Sequence, residues 1–408
     1  MLRHTGLAAG LDRVGVAGAD PFTEARVALD ERKARDLHGG MQFTYRNPAR
    51  STEPARALAG VRCLVVGAKA YPSETVAPTD AAAGRGPLAR VARYATGDHY
   101  GALRLGLEAI AAHLRAEGWQ ARVILDDNAL VDRAVAYRAG LGWYGKNANI
   151  LIEGAGSWFV LGSVLTDAPL PVADRPVADG CHACSRCLDG CPTEAIIEPG
   201  VVDARRCLAW LVQAEGVFPL EHRVALGDRI YGCDVCQEVC PPSNRAPRSP
   251  PGVGSSLDPP SAHAPHDLGS WVSVLDLLEL DDVTLLARFG RWYIPRRNPG
   301  YLRRNALIVL GNMAPLPLAP PLASVLARYL RDPDPLLRAH AVWAARRLRR
   351  DDLLEALANE LDPGVLAELA ADVAARAGSP DAGASGSVPV PAPVVRTHRP
   401  HDPHEVNA

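Results

Sequence analysis

The sequence predicts a chain of three parts: an α/β region over residues 1–175, a cysteine-rich segment over 176–245 and an all-α region over 270–377. Runs with the length and pattern of strands and helices alternate through the first part, eight of the nine cysteines fall in the second, and helical patterns fill the third. With 408 residues, two or three domains are expected, and 48% apolar residues suffice for buried cores.

The α/β region is predicted from alternating periodicities. The segment 62–70 (RCLVVGAKA) is an apolar run with Cys63 as a buried strand residue, and it ends at a Tyr-Pro pair. The segment 98–117 places leucine and isoleucine at helical spacing, and Gly118 follows as a C-terminal stop. Further strands are predicted at 120–125, 149–152 and 157–165, and a further helix at 130–139.

Two cysteine runs dominate the second part. CHACSRCLDGCP, beginning at Cys181, has the C-x2-C-x2-C-x3-C-P spacing of bacterial ferredoxins. CDVCQEVCPP, beginning at Cys233, lacks one cysteine of that pattern, and Cys207 between the runs is the natural replacement. Eight thiolates are the number needed for two 4Fe–4S clusters, so the sequence predicts a ferredoxin-like two-cluster domain.

In ferredoxin runs the last cysteine crosses to the other cluster, which divides the eight ligands into two sets. The expected sets are Cys181, Cys184, Cys187 and Cys240 for one cluster, and Cys191, Cys207, Cys233 and Cys236 for the other. Zinc and disulfides are the alternatives. Zinc sites usually use two C-x2-C pairs, and a disulfide framework requires an oxidising compartment, whereas no apolar signal segment opens the chain.

The third part contains an internal repeat. LRRNALIVLGNM at 302–313 and LRAHAVWAARRL at 337–348 align at a shift of 35 residues, and 362–378 repeats the pattern loosely. Two helices per repeat at this period predict short HEAT-like repeats, with an unrelated helical bundle as the alternative. A Pro-rich linker is predicted at 246–269 and a disordered tail at 378–408.

Arginine is concentrated at the start of the helical region. Residues 286–304 (LARFGRWYIPRRNPGYLRR) contain six arginines and no acidic residue, with aromatic residues interleaved. Arginine neutralises phosphates and aromatic rings can stack on bases, so this segment predicts an RNA-binding face. The candidate contacts are Arg291, Arg296, Arg297, Arg303 and Arg304, and a second basic run lies at 346–350. A solvated charged face is the alternative.

Other features exclude further classes. GLGWYG at 140–145 matches G-x-G-x-x-G, but a predicted helix precedes it where a dinucleotide site requires a strand. No run of eighteen apolar residues suggests a membrane span. The net charge of −2 confines any nucleic-acid site to a local patch.

Taken together, these segments resemble the epoxyqueuosine reductases, over roughly residues 20 to 375. The resemblance rests on AYPS at 70–73, LDDNALVDRAVAYRAGLGWYGKN at 125–147, GSWFVLGSVLTDAPLP at 156–171 and the two cysteine runs with RRCLAWL and RIYGCDVCQEVCP. It also includes the arginine-rich entry to the helical region. The cysteine runs are shared with many ferredoxin-like proteins, whereas the 125–147 segment is more specific.

The resemblance implies a reaction and its cofactors. The expected substrate is tRNA with epoxyqueuosine at the wobble position, and the expected product is queuosine. Two 4Fe–4S clusters would feed electrons to cob(II)alamin, bound in the N-terminal α/β domain without a histidine on the cobalt. The expected partners are the tRNA and a reductant such as a flavodoxin or ferredoxin. A monomer in the cytoplasm, not bound to a membrane, is expected.

The resemblance also implies site residues. Asp126, at the end of a predicted strand, is the expected proton donor, with Asp127 as the main competitor and a capping role as the alternative. Asp132 could instead be a helix residue paired with Arg133. The expected cobalamin contacts are Arg50, Ala92, Asp126, Asn147, Leu161, Ala209 and Asp234.

Three other functional classes remain open at this point. The clusters and helices could form a two-cluster ferredoxin-type electron carrier fused to a helical scaffold, although a carrier would not need the α/β region. A helical adaptor that binds RNA or protein could use the clusters only for structure. A reductive dehalogenase-like enzyme would share the cofactors but would not need an arginine-rich face.

Overall fold

The computed structural model of the chain describes residues 1–72, 75, 86–173, 175–244 and 269–371. The predicted tail at 378–408 and the predicted linker, apart from Gly269, lie outside the described residues. Eleven strands are described: β1 Arg13–Gly18, β2 Cys63–Ala70, β3 Leu88–Val91, β4 Ala121–Leu125, β5 Trp143–Tyr144, β6 Ile150–Leu151, β7 Phe159–Thr166, β8 Ile196–Glu198, β9 Val201–Val202, β10 Arg229–Tyr231 and β11 Trp271–Ser273.

Helices occur in every region. In the first 175 residues they are Leu2–Ala8, Thr23–Ala34, Phe43–Arg46, Pro48–Thr52, His99–Ala116 and Asp132–Arg138. Short helices follow in the cysteine-rich segment: Arg186–Asp189, Leu208–Leu211, Leu220–Leu226, Val235–Glu238 and Pro241–Asn244. The remaining helices are Val274–Glu279, Asp282–Phe289, Gly300–Met313, Pro320–Tyr329, Pro335–Arg347 and Pro363–Ala370. Short 3-10 helices lie at Pro54–Arg56, Arg93–Ala95, Pro295–Arg297 and Asp351–Leu357.

The main sheet has the strand order β1-β2-β7-β4, and every neighbouring pair is antiparallel. Strand β2 is almost continuously apolar because both faces of the sheet are covered. Leu64 and Val66 pack toward the helix Asp132–Arg138, whereas Val65 packs toward the helix His99–Ala116. The predicted mixed α/β architecture is therefore confirmed, as three layers with a sheet between helices.

The predicted element boundaries of this region are close to those observed. Asp98 caps the helix His99–Ala116 by accepting a hydrogen bond from the Gly101 amide, at 2.9 Å. Gly118 has a φ of +88°, the left-handed conformation that glycine adopts at low cost after a helix. The predicted strand at 62–70 corresponds to β2, with Cys63 buried.

A second, three-stranded sheet joins segments that are distant in sequence. Strand β3 lies between β10, to which it is parallel, and β11, to which it is antiparallel. The core beneath it combines Val91, Leu211, Ile230 and Val272 with Leu307 and other residues of the C-terminal helices. Residues of the α/β region, the cysteine-rich segment and the helical region thus share one hydrophobic core.

Three of the C-terminal helices pack side by side. Gly300–Met313 packs on Pro335–Arg347, which in turn packs on Pro363–Ala370. Their facing positions are apolar or small, including Leu307, Val342 and Ala345, which are fully buried. Within the described residues, no helix combines the length and apolar character that a bilayer crossing requires.

Candidate active site and cluster ligands

The end of strand β4 carries a carboxylate in an unusual conformation. Asp126 follows the last strand residue with a φ of +48°, in the left-handed region that aspartate tolerates better than most side chains. It is exposed, whereas the next carboxylate is engaged: Asp127 Oδ1 accepts a hydrogen bond from the Ala129 amide at 2.7 Å. The Arg50 guanidinium lies 4.0 Å from the same oxygen. Of the two carboxylates, Asp127 is therefore the one already held by a hydrogen bond and a nearby guanidinium.

The surroundings of Asp126 favour its protonated form. Desolvation by the protein on one side raises its pKa, and the negative charge of Asp127 raises it further. Asp132, at the start of the next helix, has a pKa well above its usual range because of burial and then because of Asp126. Its Oδ1 is buried and has no hydrogen-bond partner among the described residues. The predicted pairing of Asp132 with Arg133 is not formed, since Arg133 donates to the Ala148 carbonyl at 2.8 Å.

Most of the eight cysteines lie in or next to short helical turns. Cys187 lies in Arg186–Asp189, Cys207 precedes Leu208–Leu211, and Cys236 lies in Val235–Glu238. Such turns direct backbone N–H groups toward sulfur. The Ala195 amide donates to Cys191 Sγ at 3.2 Å. Burial raises the pKa of Cys207, and hydrogen bonds from the Ala209 and Trp210 amides partly offset that effect. These donors suit ligands that carry negative charge.

The thiols influence one another in two groups. Burial raises the pKa of Cys187 to about 11, and the next contributions come from Cys240, Cys181 and Cys184. Burial also raises the pKa of Cys236, followed by Cys233, Cys207 and Cys191, with Cys187 last. The strongest mutual interactions therefore divide the cysteines as the two crossed ligand sets would.

The structure contains no disulfide framework among the described cysteines. All nine cysteines are free thiols. No three His, Cys, Asp or Glu side chains in the described part of the chain lie close enough to hold a single metal ion.

Besides Arg50, Asp126 and Asp234, the predicted cobalamin contacts lie on four further segments. Ala92 is buried after β3, and its amide donates to the Tyr231 carbonyl at 2.9 Å. Asn147 is buried and donates to the Cys236 carbonyl at 3.1 Å. Leu161 lies half-buried on β7, paired with Ala68, and Ala209 lies in the helix after Cys207.

Asp234 is held by a charged network that the sequence does not reveal. Its Oδ2 accepts a hydrogen bond from the Arg93 amide at 2.8 Å and lies 3.6 Å from the Arg93 guanidinium. Arg93 also contacts Glu238 at 3.1 Å, and Arg90 pairs with both Glu238 and Asp228. The network attaches the end of β3 to the second cysteine run. No sequence pattern indicates it, because the partners lie more than 130 residues apart.

A polar cavity of about 410 Å³ lies beside the Asp127 carboxylate. Its lining residues are Phe43, Arg46, Asn47, Arg50, Ser51 and Asn128. Ser51 Oγ donates to the Asn128 carbonyl at 2.6 Å, which joins the helix Pro48–Thr52 to the loop that follows β4. Of these residues, the sequence predicted a site role only for Arg50.

The arginine-rich segment is divided between surface and core. Arg291, Arg296 and Arg297 are exposed. Arg296, with 79% of its side chain exposed, pairs with Glu215 at 2.7 Å, so an acidic partner from outside the segment reduces the local charge. Arg303 is mostly covered, and its ion pair with Asp282 lies within the helical region.

Two residues of this segment are corrected by the structure. Arg304 is 1% exposed, and its guanidinium donates to internal carbonyls, so the prediction that it contacts RNA is wrong. Trp292 is 4% exposed and stacks on Tyr231 at 4.5 Å between ring centroids, so it cannot stack on a base. Tyr293, by contrast, is 58% exposed.

Comparison with known proteins identifies the class first. Residues 180–243 match the model of the 4Fe-4S double cluster binding domain, so the chain contains a domain for two iron–sulfur clusters. With its α/β layer and helical region, it is a two-cluster iron–sulfur protein that is larger than a simple electron carrier.

Relatives over most of the length give the family. The chain is 32% identical to an epoxyqueuosine reductase of Bacillus anthracis, covering 88% of this chain and 92% of the relative. It is 34% identical to one from Vibrio cholerae, covering 82% and 88%. The chain belongs to the epoxyqueuosine reductase family, and the alternatives of a carrier, an adaptor or a dehalogenase-like enzyme are not favoured.

Solved structures agree with this assignment. A crystal structure of epoxyqueuosine reductase with an epoxyqueuosine-modified tRNA-Tyr stem loop matches with a TM-score of 0.78 at 28% identity, over 90% of this chain and 96% of that one. A Bacillus subtilis epoxyqueuosine reductase, with its aspartate catalytic loop swung out of the active site, matches with a TM-score of 0.76 at 28% identity over the same shares.

Proposed function

We propose that this chain reduces epoxyqueuosine to queuosine at the wobble position of tRNA. The reaction adds two electrons and two protons to the epoxide, forms the carbon–carbon double bond and releases the oxygen as water. Family membership over most of the chain carries this proposal, and the double-cluster domain agrees with it. The enzyme acts as a cytoplasmic monomer.

The two clusters are held by the crossed cysteine sets. Cys181, Cys184, Cys187 and Cys240 bind the first, and Cys191, Cys207, Cys233 and Cys236 bind the second. The grouping of mutual electrostatic effects among the thiols supports these sets. Cys184 is the one exposed cysteine among the eight, and it belongs to the first set, so a flavodoxin or ferredoxin donates electrons at the first cluster.

The residues that would hold cobalamin lie around the end of β4 and the second cysteine run, and the bound cofactor would supply reduced cobalt for the reaction with the epoxide. The residues present fit such a ligand. Arg50, Asn47 and Asn128 line the polar cavity beside Asp127, and they match the amide and phosphate groups of a cobalamin. The further contacts are Ala92, Asn147, Leu161, Ala209 and Asp234, with Ala92 and Leu161 acting through backbone groups. The Asn147 amide already donates to the Cys236 carbonyl, and the Asp234 carboxylate accepts from the Arg93 amide.

Asp126 is the proton donor to the epoxide oxygen. Its pKa is raised by desolvation and by Asp127, so the carboxyl can carry a proton closer to neutral pH than an ordinary aspartate. Asp127 is less suited to this role, because its Oδ1 is engaged by the Ala129 amide and lies near Arg50.

The HEAT-like helical region binds the anticodon arm. Arg291, Arg296 and Arg297 are exposed and supply phosphate contacts, with Tyr293 available to stack. Arg303 contributes less because it is paired with Asp282. On this proposal the domains are the α/β cobalamin-binding region at 1–175, the cluster region at 176–245 and the tRNA-binding helices at 270–377.

A direct assay tests the function. Protein purified without oxygen and reconstituted with iron, sulfide and cobalamin is given epoxyqueuosine-containing tRNA and a chemical reductant, and the digested nucleosides are analysed by mass spectrometry. Conversion to queuosine that requires both iron and cobalamin is expected. Protein with intact clusters that leaves the nucleoside unchanged would refute the proposal, and conversion without cobalamin would refute only the cofactor assignment.

A further inference from the structure

Arg304 is a fully buried cation whose observed hydrogen bonds are all with neutral groups. Its Nη1 donates to the carbonyls of Ala214 and Gly216 at 2.8 and 2.6 Å. Its Nη2 donates to the Leu211 carbonyl at 3.0 Å and lies 3.4 Å from that of Val212. Desolvation lowers its pKa to about 10, which leaves it charged at neutral pH. Burying an arginine costs free energy, so its presence here needs a compensating role. Its five N–H donors can hold several backbone carbonyls in fixed positions.

The next residue extends the same contact to a second segment. Asn305 Oδ1 accepts from Arg304 Nε and Nη2 at 3.1 and 2.9 Å. Its Nδ2 donates to the Val212 carbonyl at 2.8 Å and to the Ile230 carbonyl at 3.2 Å. Both residues belong to the helix Gly300–Met313, so one turn of that helix holds the segments 211–216 and 229–231 together.

These two segments each adjoin a cysteine of the second cluster. The Leu211 amide donates to the Cys207 carbonyl at 2.9 Å, so the first segment begins one helical turn after that ligand. Ile230 lies three residues before Cys233, on the strand β10 that the helical region also supports through the Tyr231 hydroxyl and the Tyr293 amide, at 2.8 Å. By contrast, three of the four ligands of the first cluster, Cys181, Cys184 and Cys187, have no described contact with this helix turn.

We infer that Arg304 and Asn305 are positioning residues for the second cluster: through the backbone of 211–216 and 229–231 they set where the Cys207 and Cys233 sulfurs lie. The helical region is then a structural part of the electron-transfer site as well as a surface for tRNA. This inference rests on the proposed ligand sets, which place Cys207 and Cys233 on one cluster.

Cluster content tests the inference without any turnover assay. Arg304→Met removes all five donors at similar length, and Asn305→Leu removes the amide. Arg303→Met on the same helix is the matched control, since Arg303 bonds to Asp282 and Leu280 instead. Each variant is reconstituted without oxygen, and iron content, the electron paramagnetic resonance of the reduced protein and the two midpoint potentials are measured. Cys207→Ser supplies the signature of a damaged second cluster.

Arg304→Met is expected to retain about four of the eight irons and to lose the same resonance signal as Cys207→Ser, with the first cluster's signal and potential unchanged. Asn305→Leu is expected to retain both clusters but to shift the second potential only. Arg303→Met should match the parent. A folded Arg304→Met with two unshifted clusters, or with equal loss of both, would overturn the inference.

If Arg304→Met aggregates, Arg304→Lys decides, because lysine keeps the charge but its single ammonium group cannot donate to the several carbonyls of 211–216 that the guanidinium holds. A shifted or lost second-cluster signal supports the inference, and an unchanged one overturns it. If Cys207→Ser itself leaves both clusters intact, the ligand sets are wrong, and that result is separate from any failure in tRNA reduction.

Discussion

The loop after β4 and the connection between Cys207 and Cys233 are built in opposite ways. The loop holds Asp126 exposed and in a left-handed conformation. Its carboxylate, unlike that of Asp127, is not held by the Ala129 amide. The connection is tied to the C-terminal helices at many points, including Arg304, Asn305 and His340, whose Nε2 accepts from the Phe218 amide at 3.2 Å. The proposed proton donor thus lies on a lightly restrained segment, while the proposed cluster ligands adjoin a heavily bonded one.

The largest expected effect concerns the loop. Asp126→Asn removes the acidic proton but keeps the size of the side chain, and asparagine also tolerates the left-handed conformation. Turnover should fall by about 100- to 10,000-fold, the usual contribution of a general acid. Iron content, cobalamin binding and the thermal unfolding midpoint should remain as in the parent. Nearly full activity in this variant would assign the acid elsewhere.

The connection predicts an effect on stability instead. Arg223 is 1% exposed; it donates to the Phe218 carbonyl at 3.0 Å and pairs with Glu368 of the last described helix at 2.9 Å. Glu368→Gln would leave a buried cation without its counter-charge, and breaking such a pair costs about 3–5 kcal/mol. Urea unfolding of the parent and the variant measures this difference.

Arg26→Gln provides the comparison for that measurement. Arg26 also pairs with a carboxylate, Asp30, but both side chains are more than a third exposed. Exposed pairs of this kind contribute about 0–1 kcal/mol. If the two substitutions have equal effects, the connection is not the rigid element described above.

The sequence predicted the main elements and the double-cluster domain, but not the conformation of the loop after β4. Periodicity located β2, β4 and the helix His99–Ala116, and the cysteine spacing predicted a double-cluster domain that the family comparison confirmed. A left-handed residue after a strand has no periodic signal, so the conformation of Asp126 could not be predicted. Asp126 as the acid and the cobalamin contacts remain predictions.

The main error of the sequence-based prediction was to treat Arg304 as an exposed residue that contacts RNA, and this error has a physical cause. Arg296 and Arg304 stand in one basic segment and are equivalent in composition, yet one is exposed and the other lies in the core. The carbonyls that satisfy Arg304 belong to residues about 90 positions earlier, where no side-chain pattern marks them. The three-stranded sheet of β3, β10 and β11 depends on similarly distant pairings.

A smaller effect is expected on the surface of the helical region. The double variant Arg296→Glu and Arg297→Glu should weaken tRNA binding and reduce the slope of log affinity against log salt by about one to two. Arg296 already shares its charge with Glu215, so most of the change should come from Arg297. Fluorescence anisotropy with an anticodon stem loop, with Arg26→Glu as control, measures this. Affinity equal to that of the control would remove these arginines from the binding face.

The smallest expected effect is a displacement of the pH profile, and it tests how the loop tunes its acid. A general acid works while protonated, so turnover should be present below the pKa of Asp126 and should be lost as the pH rises through it. Folding raises this pKa, first by desolvation and then by the charge of Asp127. Asp127→Asn removes only the second cause, so the falling limb should move to lower pH without reaching the position of an ordinary aspartate.

The loop should survive this change, because the asparagine oxygen can still accept the hydrogen bond from the Ala129 amide. The profile is measured at saturating tRNA with a chemical reductant, so that binding and the natural electron donor do not contribute. A limb that stays in place would mean that Asp127 does not act on the proton donor, and a limb displaced to higher pH would mean that the titrating group is not Asp126. Only a displacement to lower pH agrees with Asp126 as the proton donor and with the charge of Asp127 as one cause of its raised pKa.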